Sequence, residues 1–168
     1  MRAGVALGSN LGDRLGNLSA ARKAIAALAG VRAPMVSSAV YETDPVGCEP
    51  GAPGFLNAAI EFDYRGEAIQ LFQELRRIEI ALGRPAQHER NVSRPIDIDL
   101  LYFDDITLAT EQLTLPHPRI FEREFVLRPL ADIQPNRVLP GQTKTITELL
   151  ALTASSGRVE RATSKWED

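Results

Sequence analysis

Two aspartates that lie two residues apart in a predicted strand carry the clearest chemical signal in the sequence. Asp97 and Asp99 alternate with Ile96 and Ile98, so both carboxylates project from one face of the strand, with their Cα atoms roughly 7 Å apart. Carboxylate oxygens without a nearby pair of His or Cys ligands suit Mg²⁺, which such groups hold together with substrate phosphates. The alternative is the solvent face of an edge strand, and the rarity of Asp in strands favours the metal site.

Arginine side chains flank this acidic pair in the sequence. Three precede it in a predicted loop and two follow the segment Leu115–Pro118: Arg84, Arg90, Arg94, Arg119 and Arg123. The guanidinium fork matches phosphate oxygens, so arginines around a Mg²⁺-binding pair are what a polyphosphate site requires. Each arginine alone is more often solvated or ion-paired, and the two histidines, His88 and His117, are each more often surface residues. The combination, with His117 between two prolines beside the arginines, predicts polyphosphate binding.

Aromatic and amide side chains provide candidates for binding a flat heterocycle. Phe55 and Asn57 lie on one side of a predicted strand by their period of two, and Phe125 lies in a later segment. An aromatic face stacks on a heterocycle, and an Asn amide offers a donor and an acceptor to its edge. These residues could therefore recognise a pterin or a purine. The alternative, which residue type alone favours, is that both phenylalanines belong to the core.

The motifs of the common nucleotide-binding folds are absent from the sequence. There is no GxxxxGKS/T segment, and Gly8-Ser9-Asn10-Leu11-Gly12 does not have the spacing of a GxGxxG dinucleotide turn. A P-loop kinase is therefore excluded.

Composition predicts one globular domain over residues 1–168. The chain has 168 residues, 44% hydrophobic, with 19 basic and 22 acidic side chains, enough for one core but not for two. The net charge of -3 argues against the broad basic face of a nucleic-acid-binding protein. Cys48 is the only cysteine, and the longest apolar run, Ala24 to Ala29, is too short for a membrane span. We expect a cytoplasmic protein without nucleic-acid or membrane partners.

Hydrophobic periodicity predicts the order of the elements. The order is strand, helix, strand, strand, helix, strand, over Val5–Leu7, Leu15–Leu28, Val36–Thr43, Leu56–Tyr64, Ala68–Leu82 and Ile96–Phe103. Gly30 and Gly83 are placed to end the two helices, and the fourth segment alternates like a strand with one buried face. This β-α-β-β-α-β order predicts an α+β, ferredoxin-like sandwich with both helices on one face of an antiparallel sheet. Beyond residue 105 we predict a C-terminal elaboration, with a capping box at Thr145–Glu148 opening a helix through Leu152.

The sequence resembles the 2-amino-4-hydroxy-6-hydroxymethyldihydropteridine pyrophosphokinase family nearly from end to end. The segments that carry the resemblance are Ala6–Arg14, Tyr41–Pro45, Phe55–Ala59, Arg94–Leu101, Leu115–Arg119 and Arg123–Leu127. The Arg-x-x-Asp-x-Asp block is the most specific of them. The ferredoxin-like fold of the family agrees with the order of elements.

The resemblance implies an activity and a set of site residues. The enzyme would transfer diphosphate from ATP, its co-substrate, to the hydroxymethyl group of 6-hydroxymethyl-7,8-dihydropterin in folate biosynthesis, releasing AMP. Asp97 and Asp99 would hold two Mg²⁺ ions and would act in catalysis together with Arg84 and Arg94. The pterin pocket would consist of Thr43, Asp44, Val46, Phe55, Asn57 and Phe125. ATP would be bound by Glu79, Arg84, Arg94, Ile98, Thr114, His117 and Arg123. We expect a monomer.

The sequence departs from the family pattern in the loop before the aspartates. Val92–Ser93 replaces a frequent Gly-Pro or Ala-Pro, Asn91 stands where a Trp is common, and Ala86–Gln87 replaces a basic pair. These departures concern loop closure more than reaction type. They permit an alternative, a non-catalytic pterin- or nucleotide-binding protein of the same fold, whereas an RNA-binding module is disfavoured by the acidic charge balance. No dedicated general base is evident, and we take Asp97 as the hypothetical proton acceptor.

Overall fold

A computed structural model describes residues 1–85, 93–155, 157–164 and 166. The strands are β1 (Arg2–Ser9), β2 (Val31–Ser37), β3 (Val40–Thr43), β4 (Phe55–Tyr64), β5 (Asp97–Phe103), β6 (Leu108–Ala109), β7 (Thr114–Leu115) and β8 (Val159–Thr163). The helices are α1 (Arg14–Ala26), α2 (Ala68–Ala81), a 3-10 turn (Ile120–Glu122), α3 (Glu124–Ile133) and α4 (Ile146–Leu152). Among the described residues, no helix is long and apolar enough to span a membrane. His88, Arg90, Asn91, Val92 and the Ala86–Gln87 pair lie outside them.

One antiparallel sheet organises the chain. Its strand order is β5-β1-β4-β3-β8, and β2 also pairs with β4. Helices α1 and α2 cross over one face, where apolar side chains such as Leu18, Leu71 and Phe62 form the larger core. This arrangement confirms the expected α+β, ferredoxin-like sandwich, and the β6–β7 hairpin, α3, α4 and β8 elaborate it.

The prediction of a single strand over residues 36–43 is wrong, because the structure has the end of β2 and the whole of β3 there, separated by Ser38 and Ala39. Both strands pair with the same edge of β4, β2 from Tyr64 to Ile60 and β3 from Asn57 to Phe55. At the break, Ser38 Oγ accepts a hydrogen bond of 2.9 Å from the N–H of Ala59. The N–H of Ala39 turns away from the ladder and donates to Asp132 Oδ2 at 3.1 Å. The break therefore fastens the sheet edge to α3.

The two crossover helices begin and end close to their predicted positions. Asp13 caps α1 by accepting from the N–H of Gly16 at 3.0 Å, and α1 ends at Ala26, before the expected stop at Gly30. Helix α2 ends just before Gly83, whose φ of +99° is suited to glycine. The capping box of Thr145 and Glu148 opens α4 as predicted.

The second face of the sheet is covered by α3, and this burial corrects the prediction of a one-faced β4. Leu127 and Leu130 of α3 pack in a second core with Ala59 and Leu101, so Asn57, Ala59 and Glu61 of β4 are buried as well as its other face. The sequence analysis did not predict α3, and Pro129 lies inside it. A proline inside a helix weakens the sequence signal because it removes one backbone donor.

A β-bulge in β5 changes which side chains face α3. Val5 pairs with Leu100 and Gly4 with Tyr102, so Leu101 has no partner of its own in the register. Leu101 and Tyr102 both lie in the α3-side core, whereas Leu100 and Phe103 lie in the other core. The alternation of Ile96, Ile98, Leu100 and Tyr102 on one face, which the sequence pattern of this strand predicts, is therefore wrong beyond Leu100.

Candidate active site

A cavity of about 270 Å³ lies where β1, β3 and β4 approach the start of β5 and the first turn of α3. Antiparallel pairing places the C-terminal ends of β1 and β3 beside the N-terminal ends of β4 and β5, at one end of the sheet. Twelve of the predicted site residues line this cavity: Thr43, Asp44, Val46, Phe55, Asn57, Arg84, Arg94, Asp97, Asp99, His117, Arg123 and Phe125. Segments that are far apart in the sequence thus meet at one site.

Three predicted ATP-binding residues lie outside the cavity lining. Glu79 is buried behind Arg84 at the end of α2, with 1% of its surface exposed. Ile98 is buried in the core beneath the two crossover helices, and its N–H donates to Glu79 Oε1 at 2.6 Å. Thr114 lies in the exposed β6–β7 hairpin, opposite Ala109. A role for these residues in ATP binding stays a prediction.

Arg84 joins the carboxylates of α2 and β5. Its Nη1 donates to Glu79 Oε1 at 2.6 Å and to Oδ1 of Asp97, and Arg94 Nη1 lies 3.5 Å from Asp97 Oδ2. The Nε of Arg84 is buried and has no hydrogen-bond partner among the described residues. Because an unsatisfied buried donor is unfavourable, this N–H is a candidate donor to a bound phosphate.

Carboxylate crowding perturbs the second aspartate. Burial raises the pKa of Asp99 to about 7, and the charges of Asp97 and Glu79 act in the same direction. Arg123 and Arg84 oppose this shift. A bound cation would relieve the repulsion that the aspartates exert on each other, because an opposite charge favours ionised carboxylates.

The donor set at the two aspartates fits Mg²⁺. The ion prefers oxygen ligands and usually keeps several waters alongside one or two carboxylates and substrate phosphates. In the part of the chain that the structure describes, no three His, Cys, Asp or Glu side chains form a closed metal cluster. Asp97 and Asp99 would therefore supply the protein ligands, with the remaining positions taken by phosphate and water oxygens.

A further part of the cavity lining is aromatic and polar. Asn57 Nδ2 donates to Thr43 Oγ1 at 2.7 Å, which fixes the amide between β3 and β4. Phe55 and Phe125 also line the cavity, and the Arg123 guanidinium lies 5.6 Å from the centre of the Phe125 ring. The fixed amide and the two rings are the groups needed to bind the edge and faces of a heterocycle.

The C-terminal strand holds one predicted pterin residue in place. The N–H of Asp44 donates to the carbonyl of Arg158 at 3.1 Å, and the N–H of Arg158 donates back to Asp44 Oδ2 at 2.8 Å. Arg158 directly precedes β8, which pairs with β3. The sequence analysis gave β8 no role at the site.

His117 is suited to act as a neutral hydrogen-bond donor. Burial lowers its pKa, and the positive charge of Arg123 lowers it further. The N–H of Arg119 donates to His117 Nδ1 at 3.2 Å, which assigns the proton of the neutral ring to Nε2. Nε2–H is then the donor that the ring can offer to a phosphate oxygen.

The sequence analysis missed a structural role for Asn10. Its side chain is 1% exposed, and its Oδ1 accepts from the N–H of Arg94 at 2.7 Å. Its Nδ2 donates to the carbonyl of Pro53 at 3.2 Å. The sequence placed Asn10 in the turn after β1, which was the available indication of a structural role. Its partners, Arg94 and Pro53, are too distant in the sequence for its spacing to indicate them. Cys48 and Arg119 also line the cavity; Arg119 was one of the five arginines expected around the aspartates, whereas Cys48 was not predicted to lie there.

The cavity places groups suited to a flat heterocycle beside groups suited to a polyphosphate, which is the arrangement expected of an ATP-dependent transferase. A model of the 7,8-dihydro-6-hydroxymethylpterin-pyrophosphokinase family matches residues 4–135. The chain belongs to this family. It is thus a pyrophosphokinase of folate biosynthesis, and the alternative of a non-catalytic binding protein is not favoured.

Curated relatives agree with this membership. The chain is 46% identical over 132 residues to a 2-amino-4-hydroxy-6-hydroxymethyldihydropteridine pyrophosphokinase of Bacillus subtilis, covering 77% of this chain and 75% of the relative. It is 41% identical over 160 residues to the protein of that name from Methylorubrum extorquens, covering 95% and 98%. A folate synthesis bifunctional protein of Arabidopsis thaliana is 37% identical over 129 residues, which cover 77% of this chain and 26% of that protein.

Solved structures agree on the fold. A crystal structure of the wild-type HPPK-DHPS protein of Plasmodium falciparum with pteroate aligns with a TM-score of 0.69 at 16% identity. The alignment covers 90% of this chain and 42% of that chain, so this chain spans less than half of the longer protein. At this identity the likeness shows the fold alone.

Proposed function

We propose that the cavity binds ATP beside 6-hydroxymethyl-7,8-dihydropterin and transfers the diphosphoryl group of ATP to the hydroxymethyl oxygen. A bond forms from that oxygen to the β-phosphorus, the bridge between the α- and β-phosphates breaks, and AMP leaves. The observation that carries the proposal is that Asp97, Asp99 and the arginines share one cavity with Phe55 and the fixed Asn57 amide. Such transfer depends on positioning and charge stabilisation, which these groups can provide.

The pterin end of the cavity would orient the acceptor. Phe55 and Phe125 would stack on the ring, and Asn57, held by Thr43, would bind its polar edge. As the resemblance implies, Asp44 and Val46 would act largely through their backbone groups. The carboxylate and the N–H of Asp44 are both hydrogen-bonded to Arg158, so its carbonyl would be the group offered to the pterin. The hydrogen bonds made before binding reduce the ordering that the substrate must impose.

The phosphate end of the cavity would orient ATP. Arg84, Arg94 and Arg123 would contact phosphate oxygens, with His117 as a neutral donor. Glu79 would act by holding Arg84 in place, since one carboxylate oxygen accepts from that guanidinium at 2.6 Å. Arg84 and Arg94 lie against Asp97, so both would act close to the transferred group.

We propose that Asp97 and Asp99 hold two Mg²⁺ ions. When bound, these ions neutralise charge on the phosphate oxygens and lower the pKa of a ligated hydroxyl. Asp97 as the acceptor of the hydroxyl proton stays a prediction, and full turnover by a D97A enzyme would contradict it.

The test is to incubate the protein with ATP, Mg²⁺ and the pterin and to separate the nucleotides. AMP formed only with pterin, together with a pterin diphosphate, supports the proposal, whereas ADP would contradict it. An R84A variant should lose about 100-fold in turnover, the usual effect of removing a transition-state donor. R76A is the matched control, because Arg76 also contacts Glu79, at 2.9 Å, but is more exposed and lies outside the cavity lining.

We also propose that the enzyme works as a monomer in the cytoplasm. All the residues given a role here come from one chain, so no second copy is needed to complete the site. Light scattering at the protein concentration of the assay would test the oligomeric state.

A further inference from the structure

A chain of hydrogen bonds joins two segments that both contribute residues to the cavity lining. One is the loop after β3, which carries Glu49, and the other is the stretch 93–96 directly before β5, which carries Ser93. Both the N–H and the Oγ–H of Ser93 donate to Glu49 Oε1, at 3.2 and 2.5 Å. Asn10 Nδ2 donates to Ser93 Oγ at 3.0 Å. We call these three residues, Asn10, Glu49 and Ser93, the loop bridge.

The inner end of the loop bridge is rigid. Asn10 is buried, and its backbone N–H donates to the carbonyl of Arg94 at 3.2 Å while its Oδ1 accepts from the Arg94 N–H. Its Nδ2 also donates to the carbonyl of Pro53, at the far end of the Glu49 loop. Asn10 therefore fixes both loops at their bases. The Glu49–Ser93 contact joins them again at the exposed end.

The loop bridge connects residues of both segments that line the cavity. Arg94 follows Ser93 directly, and its guanidinium lies 3.5 Å from Asp97. Cys48 precedes Glu49 directly, and both Cys48 and Val46 line the cavity. Separation of Glu49 from Ser93 would therefore allow the pterin side and the phosphate side to move apart.

We propose that Glu49 and Ser93 are positioning residues that hold the pterin-side loop against the phosphate-side loop, so that the cavity is already shaped for both substrates. The residue at position 93 is critical, because a proline could donate neither of the two hydrogen bonds that serine makes. The hydrogen bond from Ser93 holds the pKa of Glu49 below its usual range, which is the effect expected when a donor favours the ionised carboxylate. The proposal rests on the pyrophosphokinase activity described above.

The kinetic test compares E49A, S93A, the double variant and S93T. Loss of the contact should raise KM for the pterin about threefold to tenfold, the range expected for the net contribution of one typical hydrogen bond, with a smaller change in kcat. The double variant should resemble the more impaired single variant, because E49A and S93A both remove the hydrogen bond from Ser93 Oγ to Glu49, although the backbone N–H donor at position 93 remains in S93A. S93T keeps both donors and should retain the native KM. E111A, in the β6–β7 hairpin, is the matched control for loss of an exposed carboxylate.

A second readout does not depend on activity. Cys48, the only thiol, lines the cavity next to Glu49, so its rate of alkylation by a maleimide reports the spacing of the loops. Burial raises the pKa of this thiol, and the charge of Glu49 raises it further, so the comparison uses S93A and S93T, which both retain Glu49. S93A should react several-fold faster and S93T at the native rate.

Three results would overturn the proposal: an unchanged KM in S93A, additive effects in the double variant, or equal alkylation rates in S93A and S93T. If the protein formed no AMP but S93A still reacted faster at Cys48, the pyrophosphokinase activity would fail while the loop bridge stood. If activity were normal and alkylation unchanged, the loop bridge alone would fail.

Discussion

At the scale of single residues, the buried charges of Glu79, Arg84 and Asp97 stabilise one another, because Arg84 contacts both carboxylates. Glu79 is buried and accepts hydrogen bonds from Arg84, Arg76 and the N–H of Ile98. Asp97 faces Arg84 and Arg94, but Asp99 has no short ion pair of that kind among the described residues. The ionised form of Asp99 is therefore unfavourable in the protein without ligands, whereas binding of a cation would require it.

The pKa of Asp99 predicts how stability changes with pH when Mg²⁺ is absent. Its pKa is about 7 in the folded protein, above the ordinary aspartate value of 3.8, so between these values the folded state retains a proton that the unfolded state has lost. The contribution of Asp99 to stability therefore falls as pH rises from about 4 to 7, according to proton linkage. D99N should be on the order of 4 kcal/mol more stable than the native protein at pH 8, and should equal it near pH 4.

Urea unfolding in the presence of a chelator, at several pH values, would measure this difference. Mg²⁺ should stabilise the native protein but not D99N. A native protein that gains stability steadily from pH 4 to 7 relative to D99N would contradict the prediction. D99N should also lose activity, because it removes one of the two proposed Mg²⁺ ligands. A gain in stability together with a loss of activity is the trade-off expected at a functional residue.

At the scale of elements, the bulge in β5 determines which side chains reach α3. Tyr102 OH donates to the buried Glu61 Oε2 at 2.5 Å, and Gln134 Nε2 donates to Glu61 Oε1 at 2.8 Å. The Arg137 guanidinium lies 4.5 Å from the centre of the Tyr102 ring. These contacts need the Tyr102 ring to lie across β1, and only glycine at position 4 leaves room for it.

Substitution of Gly4 should therefore disrupt β1 and β5 together. A Cβ at Gly4 would lie 2.3 Å from two ring carbons of Tyr102, a distance that requires the ring or the strand to move. We expect G4A to cost about 2 to 3 kcal/mol of stability, the typical effect of overpacking a core.

The double-mutant design identifies the cause of that effect. In a Tyr102→Leu background, which removes the opposing ring, G4A should cost much less, and urea unfolding of the four proteins measures the difference. An equal cost in both backgrounds would mean that the strain of G4A does not come from Tyr102.

The elements also show what the sequence could predict. The crossover helices and β4 were predictable because apolar residues such as Leu71, Leu75 and Ile78 recur at helical spacing and those of β4 alternate. The bulge at Leu101 was not predictable, because the register of β5 depends on its pairing with β1. Helix α3 has apolar residues at helical spacing, but Pro129 obscured it. At the candidate site, residue types and resemblance predicted cavity residues such as Asp97 and Phe55, whereas the contacts of Asn10 depend on loops that only the fold brings together.

At the scale of the whole molecule, the C-terminal segment belongs to the structure that positions the site. It lies beyond the residues that the family model matches, 4–135, yet β8 extends the sheet beside β3. Trp166 Nε1 donates to the carbonyl of Ser38 at 2.8 Å, and the Arg22 guanidinium lies 5.6 Å from the centre of its ring. The chain therefore closes back onto α1 and onto the break between β2 and β3.

Truncation after Thr153 tests the contribution of this segment. The variant loses β8 and the two hydrogen bonds between Asp44 and Arg158, one backbone to backbone and one from the Arg158 N–H to the Asp44 carboxylate, so the pterin-side loop loses one of its anchors. We expect KM for the pterin to rise about tenfold, corresponding to about 1.4 kcal/mol, with a much smaller change in KM for ATP. Steady-state kinetics with each substrate varied in turn measures both values. Equal increases for the two substrates would indicate general loosening rather than loss of the Asp44 anchor, and an R161A variant of the full chain is a control within β8.

The fluorescence of Trp166 reports whether the C-terminal segment is attached to the rest of the domain. It is the only tryptophan in the chain, so fluorescence excited at the red edge of the absorption comes from the indole bonded to Ser38 and not from the three tyrosines. Circular dichroism instead reports the sheet and helices as a whole. An emission change that precedes the dichroic transition in a denaturant series would show β8 detaching first, and coincident transitions would show that the strand and the domain unfold as one unit.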